Sequence, residues 1–134
     1  RCLDLLRYET PDARPPITSH QRYRLAARAR EIIDGIEDNP PGLPDLARQL
    51  GVSVRTLEYC FAEAIGLTPS VYIRNIRLNR ARRDLRATTP GDHTVAEIAM
   101  KWGFWHLGRF ATFYRQLFGE SPSQTLRQSA RSAA

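Results

Sequence analysis

Three features of this 134-residue sequence predict an all-α fold: two helix-turn-helix subdomains joined by a long linker helix, about seven helices in all. From His20 onward apolar residues recur at helical spacing, and no stretch sustains the period-two alternation of a half-buried strand. Gly, Pro and Ser/Thr punctuation cuts this region into short segments flanking one long one. Finally, the short segments before and after the long one repeat each other.

Residues 1–19 combine an apolar cluster (Leu3, Leu5, Leu6) with Thr10-Pro11-Asp12-Ala13-Arg14-Pro15-Pro16, and read as the end of a preceding domain plus a Pro-rich linker. The first subdomain is expected over 20–67. Its opening helix, near 20–37, carries Leu25, Ala29, Ile32, Ile33 and Ile36 on one stripe and stops at Asn39-Pro40-Pro41-Gly42. A short helix then opens at Pro44 and turns at Gly51, where a left-handed residue is cheap. Ser53 caps the next helix, lined by Leu57, Phe61 and Ile65 and ended by Gly66.

Thr68-Pro69 starts the linker helix, expected over 68–88 with Tyr72, Ile73, Ile76, Leu78, Ala81 and Leu85 inward. The second subdomain is expected over 89–128. Thr94-x-x-Glu97 is a capping box before Ile98, Ala99 and Trp102. After Gly103 a helix from about His106 to Phe118 presents Phe110, Tyr114 and Leu117 on one face. Ser121-Pro122 caps a last short helix around Leu126, and 129–134 reads as a disordered tail.

The repeat pairs Leu46 with Ile98, Ala47 with Ala99 and Gly51 with Gly103 at an offset of 52. Leu57/Phe110, Phe61/Tyr114, Gly66/Gly119 and Pro69/Pro122 follow at 53, so the second turn is one residue longer. Each pair keeps one role: helix-crossing residue, turn glycine, apolar anchor, terminating glycine or first-turn proline. Two such units in one chain can place two recognition helices on one duplex without dimerisation. Because their sequences differ, the site they read is asymmetric.

Charge and composition narrow the function classes. Twenty basic residues against fourteen acidic ones give +6, which favours polyanionic partners. All but Lys101 of the basic residues are arginine, a skew that suits bidentate phosphate binding and equally follows from a GC-rich genome. No apolar run approaches the roughly 20 residues of a membrane span. Cys2 and Cys60 do not make a disulfide scaffold, and the expected location is the cytoplasm. His20, His93 and His106 are scattered, and no metal site, cofactor loop or catalytic constellation is evident, so no enzyme is expected. Trp102, Phe104, Phe110, Phe113, Tyr114 and Phe118 have the spacing of core residues rather than of a stacking platform.

Several motifs resemble the AraC/XylS family of bacterial transcription regulators. Leu46-Ala47-Arg48-Gln49-Leu50-Gly51-Val52-Ser53, with Leu57 and Phe61, is similar to the family's first unit. Tyr72-Ile73-Arg74 and Arg77-Leu78-Asn79-Arg80-Ala81-Arg82 are similar to its linker helix. Ile98-Ala99-Met100-Lys101-Trp102-Gly103-Phe104, then Phe110, Tyr114, Phe118-Gly119 and Ser121-Pro122, resemble its C-terminal signature. The resemblance implies binding to double-stranded promoter DNA and activation through RNA polymerase. It also implies an N-terminal domain, absent from this sequence, that binds a small-molecule effector or dimerises. One departure stands out: Gly108 and Arg109 occupy positions where many members carry Ser and an aromatic.

Groove-facing residues lie near the start of a recognition helix, opposite its core anchors. In the first unit the face opposite Leu57 and Phe61 offers Val54, Arg55, Glu58 and Tyr59, and the resemblance to the family selects Arg55, Glu58 and Tyr59 among them as base contacts. Arg55 suits guanine O6/N7, Glu58 suits cytosine N4 or orients Arg55 one turn away, and Tyr59 suits a thymine methyl or a phosphate. In the second unit the matching positions are Leu107, Gly108, Arg109 and Thr112, with Arg109 on guanine and Leu107 on a thymine methyl. Arg48, Thr56 and Arg115 are candidates for phosphate. Arg77 reads as structural, and the other linker arginines as mostly solvated. The competing function is a basic helical adaptor that binds RNA polymerase or another protein with little DNA selectivity.

Overall fold

In a computed structural model, which describes residues 17–89 and 91–133, seven α-helices are present and no strand is found among the described residues. They are α1 (Ser19–Gly35), α2 (Leu43–Leu50), α3 (Val54–Ile65), α4 (Pro69–Ala87), α5 (Val95–Lys101), α6 (Leu107–Phe118) and α7 (Pro122–Ala133). The preceding-domain and linker reading of the first residues lies, up to residue 16, outside the described part, as do Pro90 and Ala134.

Local chemistry sets the helix ends. Thr18, Ser53, Thr68 and Thr94 each accept a backbone N–H of the first turn through a side-chain oxygen. Thr18/Gln21 and Thr94/Glu97 both close capping boxes, the first of which the sequence reading missed. The Glu97 carboxyl lies below its ordinary pKa, chiefly because the Thr94 backbone N–H donates to it. Gly51 and Gly103 take φ of 69° and 85° in the two turns, a region where a Cβ is strained.

Two apolar cores flank the linker helix. The first gathers Ala26, Ala29 and Ile33 of α1, Leu46 and Ala47 of α2, Leu57 and Phe61 of α3, and Ile73 of α4. The second gathers Leu78, Ala81 and Leu85 of α4 with Ile98, Ala99, Trp102, Phe110 and Tyr114. The linker helix therefore contributes to both, its N-terminal half to one and its C-terminal half to the other. Ala26 rather than Leu25 is the fully buried position beside Ala29, since small residues let α1 approach its neighbours closely.

The C-terminus departs from expectation. The last helix continues to Ala133, whereas the sequence predicts a disordered tail over 129–134. Ser129 explains this: its hydroxyl lies 2.7 Å from the Arg86 carbonyl oxygen and 3.1 Å from that of Thr88, so α7 is tied to the end of α4. Thr125 beneath it is buried, 2.7 Å from the Tyr114 hydroxyl and also bonded to Glu120.

Of the linker arginines expected in solvent, Arg83 and Arg86 are exposed but Arg74, Arg80 and Arg82 are partly buried, and Arg77 is partly buried as its structural reading requires. The Arg74 guanidinium lies 3.9 Å from the Phe113 ring centroid and that of Arg82 lies 4.4 Å from Phe118. The Nε atoms of Arg74, Arg77 and Arg82 are buried without a hydrogen-bond partner. For Arg74 and Arg82 the flat guanidinium faces pack on these rings, which is worth about 0.5–2 kcal/mol each, whereas Arg77 donates from another guanidinium nitrogen to the Pro40 carbonyl.

Asp84 is the polar pivot of the second core. Its Oδ2 accepts from Lys101 Nζ and Trp102 Nε1, each at 2.8 Å. Burial alone raises its pKa, but these two donors outweigh burial and hold it below the ordinary value. A depressed carboxylate stabilises the fold above its unfolded-state pKa of about 3.9, and that contribution disappears as pH falls through the folded-state value. Asp84→Asn is accordingly expected to cost about 1–2 kcal/mol at neutral pH. Thermal melts from pH 7 down to pH 2 should show the gap between the two proteins closing in the acid range. A gap independent of pH contradicts the assignment.

Candidate nucleic-acid interface

The repeated pairs keep their roles in three dimensions. Leu46/Ile98, Ala47/Ala99, Leu57/Phe110 and Phe61/Tyr114 are buried in both units. The turns match bond for bond: Val52 N–H donates to the Ala47 carbonyl at 3.0 Å, and Phe104 N–H to the Ala99 carbonyl at 2.9 Å. Gly66 and Gly119 end α3 and α6 in the left-handed conformation, with φ of 86° and 74°. The extra residue of the second turn falls between Gly103 and the N-cap His106, where Trp105 stands 77% exposed. An added residue in so tight a turn has no place in the core, so its side chain is pushed into solvent.

With one face of α3 and of α6 committed to the cores, the opposite faces are open. Arg55, Glu58, Tyr59, Leu107, Gly108, Arg109 and Thr112 are all exposed, as are Arg48 and Arg115, while Thr56 is partly buried. The apolar members among them are conspicuous: Tyr59 is 56% exposed and Leu107 46%. Hydrophobic side chains left open on the outer faces of two equivalent helices suit contact with groove walls and thymine methyl groups.

Individual side chains differ in readiness. Among the described residues no ion pair joins Arg55 to Glu58, so each is free to act on its own. Arg48 pairs with Asp45 at 3.0 Å on an exposed surface, which costs little to rearrange. The Ser53 hydroxyl lies 2.9 Å from Thr56 Oγ1 and accepts the Thr56 N–H at 3.1 Å. Thr112 Oγ1 donates to the Gly108 carbonyl at 3.0 Å, so its hydroxyl is left as an acceptor.

His106 is the N-cap of α6, and its Nδ1 accepts the Arg109 N–H at 3.2 Å. That bond puts the proton of the neutral ring on Nε2 and makes it an outward donor. Gly108 is explained by the same imidazole. A Cβ at 108 would come 3.2 Å from His106 Cε1 and 3.5 Å from Nδ1, so the missing side chain makes room for the capping ring.

Sequence reasoning missed Arg22. This α1 side chain lies 5.8 Å from the Tyr59 ring centroid. With Ile17, Ser53, Arg55, Thr56, Tyr59 and Cys60 it lines a cavity of about 290 Å³ at the start of α3. Arg22 continues the buried stripe of Ala26, Ala29 and Ile33 by one turn toward the helix start, but a charged residue there breaks the apolar pattern and so gave no hint of this. Cys60 is buried beside Phe61, and burial raises its thiol pKa, as expected of a packing residue.

Among the described residues no group of three or more His, Cys, Asp or Glu side chains can hold a metal ion. No helix among them is long and apolar enough to cross a membrane.

Known proteins share this fold and sequence pattern. A family described as "Helix-turn-helix domain" matches residues 46–128. The "Probable thc operon regulatory protein" of Rhodococcus erythropolis is 41% identical over 120 residues, covering 90% of this chain and 34% of that protein. The "XylDLEGF operon transcriptional activator" of Pseudomonas putida is 41% identical over 106 residues, covering 77% of this chain and 33% of that protein. The chain thus spans about a third of the length of these curated relatives. Among solved structures, a "probable AraC family transcriptional regulator" from Rhodopseudomonas palustris superposes with a TM-score of 0.71 at 32% identity, covering 79% of this chain and 97% of that one.

Proposed function

This chain belongs to the AraC/XylS family of transcription regulators and forms its helix-turn-helix DNA-binding domain, and from that premise we propose that α3 and α6 enter successive major grooves of one asymmetric promoter element. Arg55 and Arg109 read guanine, Glu58 accepts from cytosine, and Tyr59 and Leu107 meet thymine methyl groups or the backbone. Gly108 lets the α6 backbone approach the duplex, and Thr112 accepts from a base amino group. Arg48, Thr56 and Arg115, joined by Arg22, fix the register on phosphate. The units divide at 20–67, 68–88 and 89–128.

The observation that carries the reading is the open face at the start of both recognition helices, set against buried anchors at the paired positions. Scale supports it too. Nineteen linker residues span roughly 28 Å at about 1.5 Å each, comparable with the ~34 Å of one DNA turn. The parent protein acts in the cytoplasm as an activator that contacts RNA polymerase, with a small-molecule effector held by an N-terminal domain. Relatives three times as long, one of them named a transcriptional activator, favour that picture. The chain itself binds and does not catalyse.

Selection of bound duplexes from a random pool, followed by competition with excess random duplex, tests the proposal. One asymmetric consensus that survives competition is expected. Binding that excess random DNA abolishes favours the electrostatic adaptor instead.

A further inference from the structure

A second polar cluster forms where the α1–α2 loop meets the linker helix and the second unit. Asn39 Nδ2 in that loop donates to the Lys101 carbonyl at 2.8 Å, across 62 positions of sequence. Lys101 is the last residue of α5, so this bond satisfies a carbonyl that has no partner within its own helix. From the linker helix, Arg77 donates to the Pro40 carbonyl at 3.1 Å and Arg80 to that of Asp38. The Gly103 turn closes the arrangement: a Cβ there would meet the Arg77 guanidinium at 3.8 Å and Asn39 Oδ1 at 3.9 Å.

None of these bonds joins residues of either apolar core, and the one further contact is the Arg80 guanidinium 5.9 Å from the Trp102 ring centroid. All of them tie a loop of the first unit to the linker or to the turn of the second. Rotation of one unit against the other about α4 would break Asn39–Lys101 while leaving both cores whole. We infer that the 38–40 loop is a latch between the units, in which Asn39 and Arg80 act as positioning residues that fix the relative orientation of α3 and α6 and so the half-site spacing the chain accepts. The inference rests on the bipartite reading above for its consequence at DNA, but not for the latch itself.

The test uses Asn39→Ala/Arg80→Ala, which removes the two solvent-accessible bonds and spares the partly buried Arg77. Binding is measured to the selected duplex, to the same duplex with one base pair inserted between half-sites, and to each half-site alone. Backbone ¹⁵N relaxation is recorded on the free proteins. The wild type is expected to prefer the selected spacing and to tumble as one body. The variant should lose about tenfold of that preference, keep its half-site affinities within about twofold, and show separate tumbling of the two units. An unchanged spacing ratio with unchanged relaxation overturns the latch. A general loss at both half-sites also overturns it, since it signals unfolding rather than reorientation. A wild type indifferent to spacing defeats the bipartite reading and with it the role in spacing. Relaxation of the free variant then decides the latch alone, with separate tumbling upholding it and single-body tumbling overturning it.

Discussion

Phe110→Ala is expected to melt the second unit well before the first. Phe110 is fully buried, 4.9 Å from the Phe104 ring centroid and 5.7 Å from that of Tyr114. Emptying such a site removes the transfer energy of a phenyl ring and leaves a cavity its helical neighbours fill only in part, a cost of about 3–5 kcal/mol. That is a large share of the stability of a chain this size, typically about 5–15 kcal/mol in total. The loss should be local because the first core contains none of the residues that touch Phe110.

Fluorescence makes the distinction measurable. Both tryptophans, Trp102 and Trp105, lie in the second unit, with Trp102 buried and Trp105 exposed. Emission therefore reports the second unit alone, while far-ultraviolet circular dichroism reports every helix. In Phe110→Ala the fluorescence transition should move to much lower temperature and leave a second, later dichroism step. Coincident transitions would show that the linker helix welds the two cores into a single cooperative unit.

The second large effect falls on binding. Arg55→Ala and Arg109→Ala are each expected to cost about 1–3 kcal/mol against the selected duplex, roughly 5- to 150-fold. The two side chains sit on different helices and share no partner, so the double variant should lose the sum, about 2–6 kcal/mol. Neither supports a core, as both are exposed. Thermal stability should therefore stay within about 0.5 kcal/mol of wild type. Affinity lost together with stability would move these arginines from the interface to the fold.

Much of the architecture was legible because its causes are local. Thr94 and Glu97 announce a capping box in four letters, and the turn glycines announce φ values that other residues avoid. The repeat was legible for a related reason: two units built on one plan need small, apolar and glycine residues at equivalent places. Contacts between elements were harder to see. Asn39 on the Lys101 carbonyl, Arg74 over Phe113 and Ser129 on the end of α4 join residues far apart in sequence and leave no periodic trace. Two of them explain the specific departures: arginines expected in solvent lie against rings, and a tail expected to be disordered continues as helix.

The interface shows the same division. The exposed face of each recognition helix followed from knowing which face was apolar. His106 as the N-cap of α6, and Gly108 as the space its ring occupies, required the fold. Arg22 likewise reaches the start of α3 only because α1 packs against that helix.

The most direct measurement is a base-by-base substitution scan of the selected duplex with wild type, Arg55→Ala and Arg109→Ala. Two unlike helices held in neighbouring grooves predict that each variant becomes indifferent to a different position, the two lying about one helical turn, roughly 10 base pairs, apart on one face of the DNA. Indifference of both variants at the same base pair, or an even weakening at every position, would contradict the account.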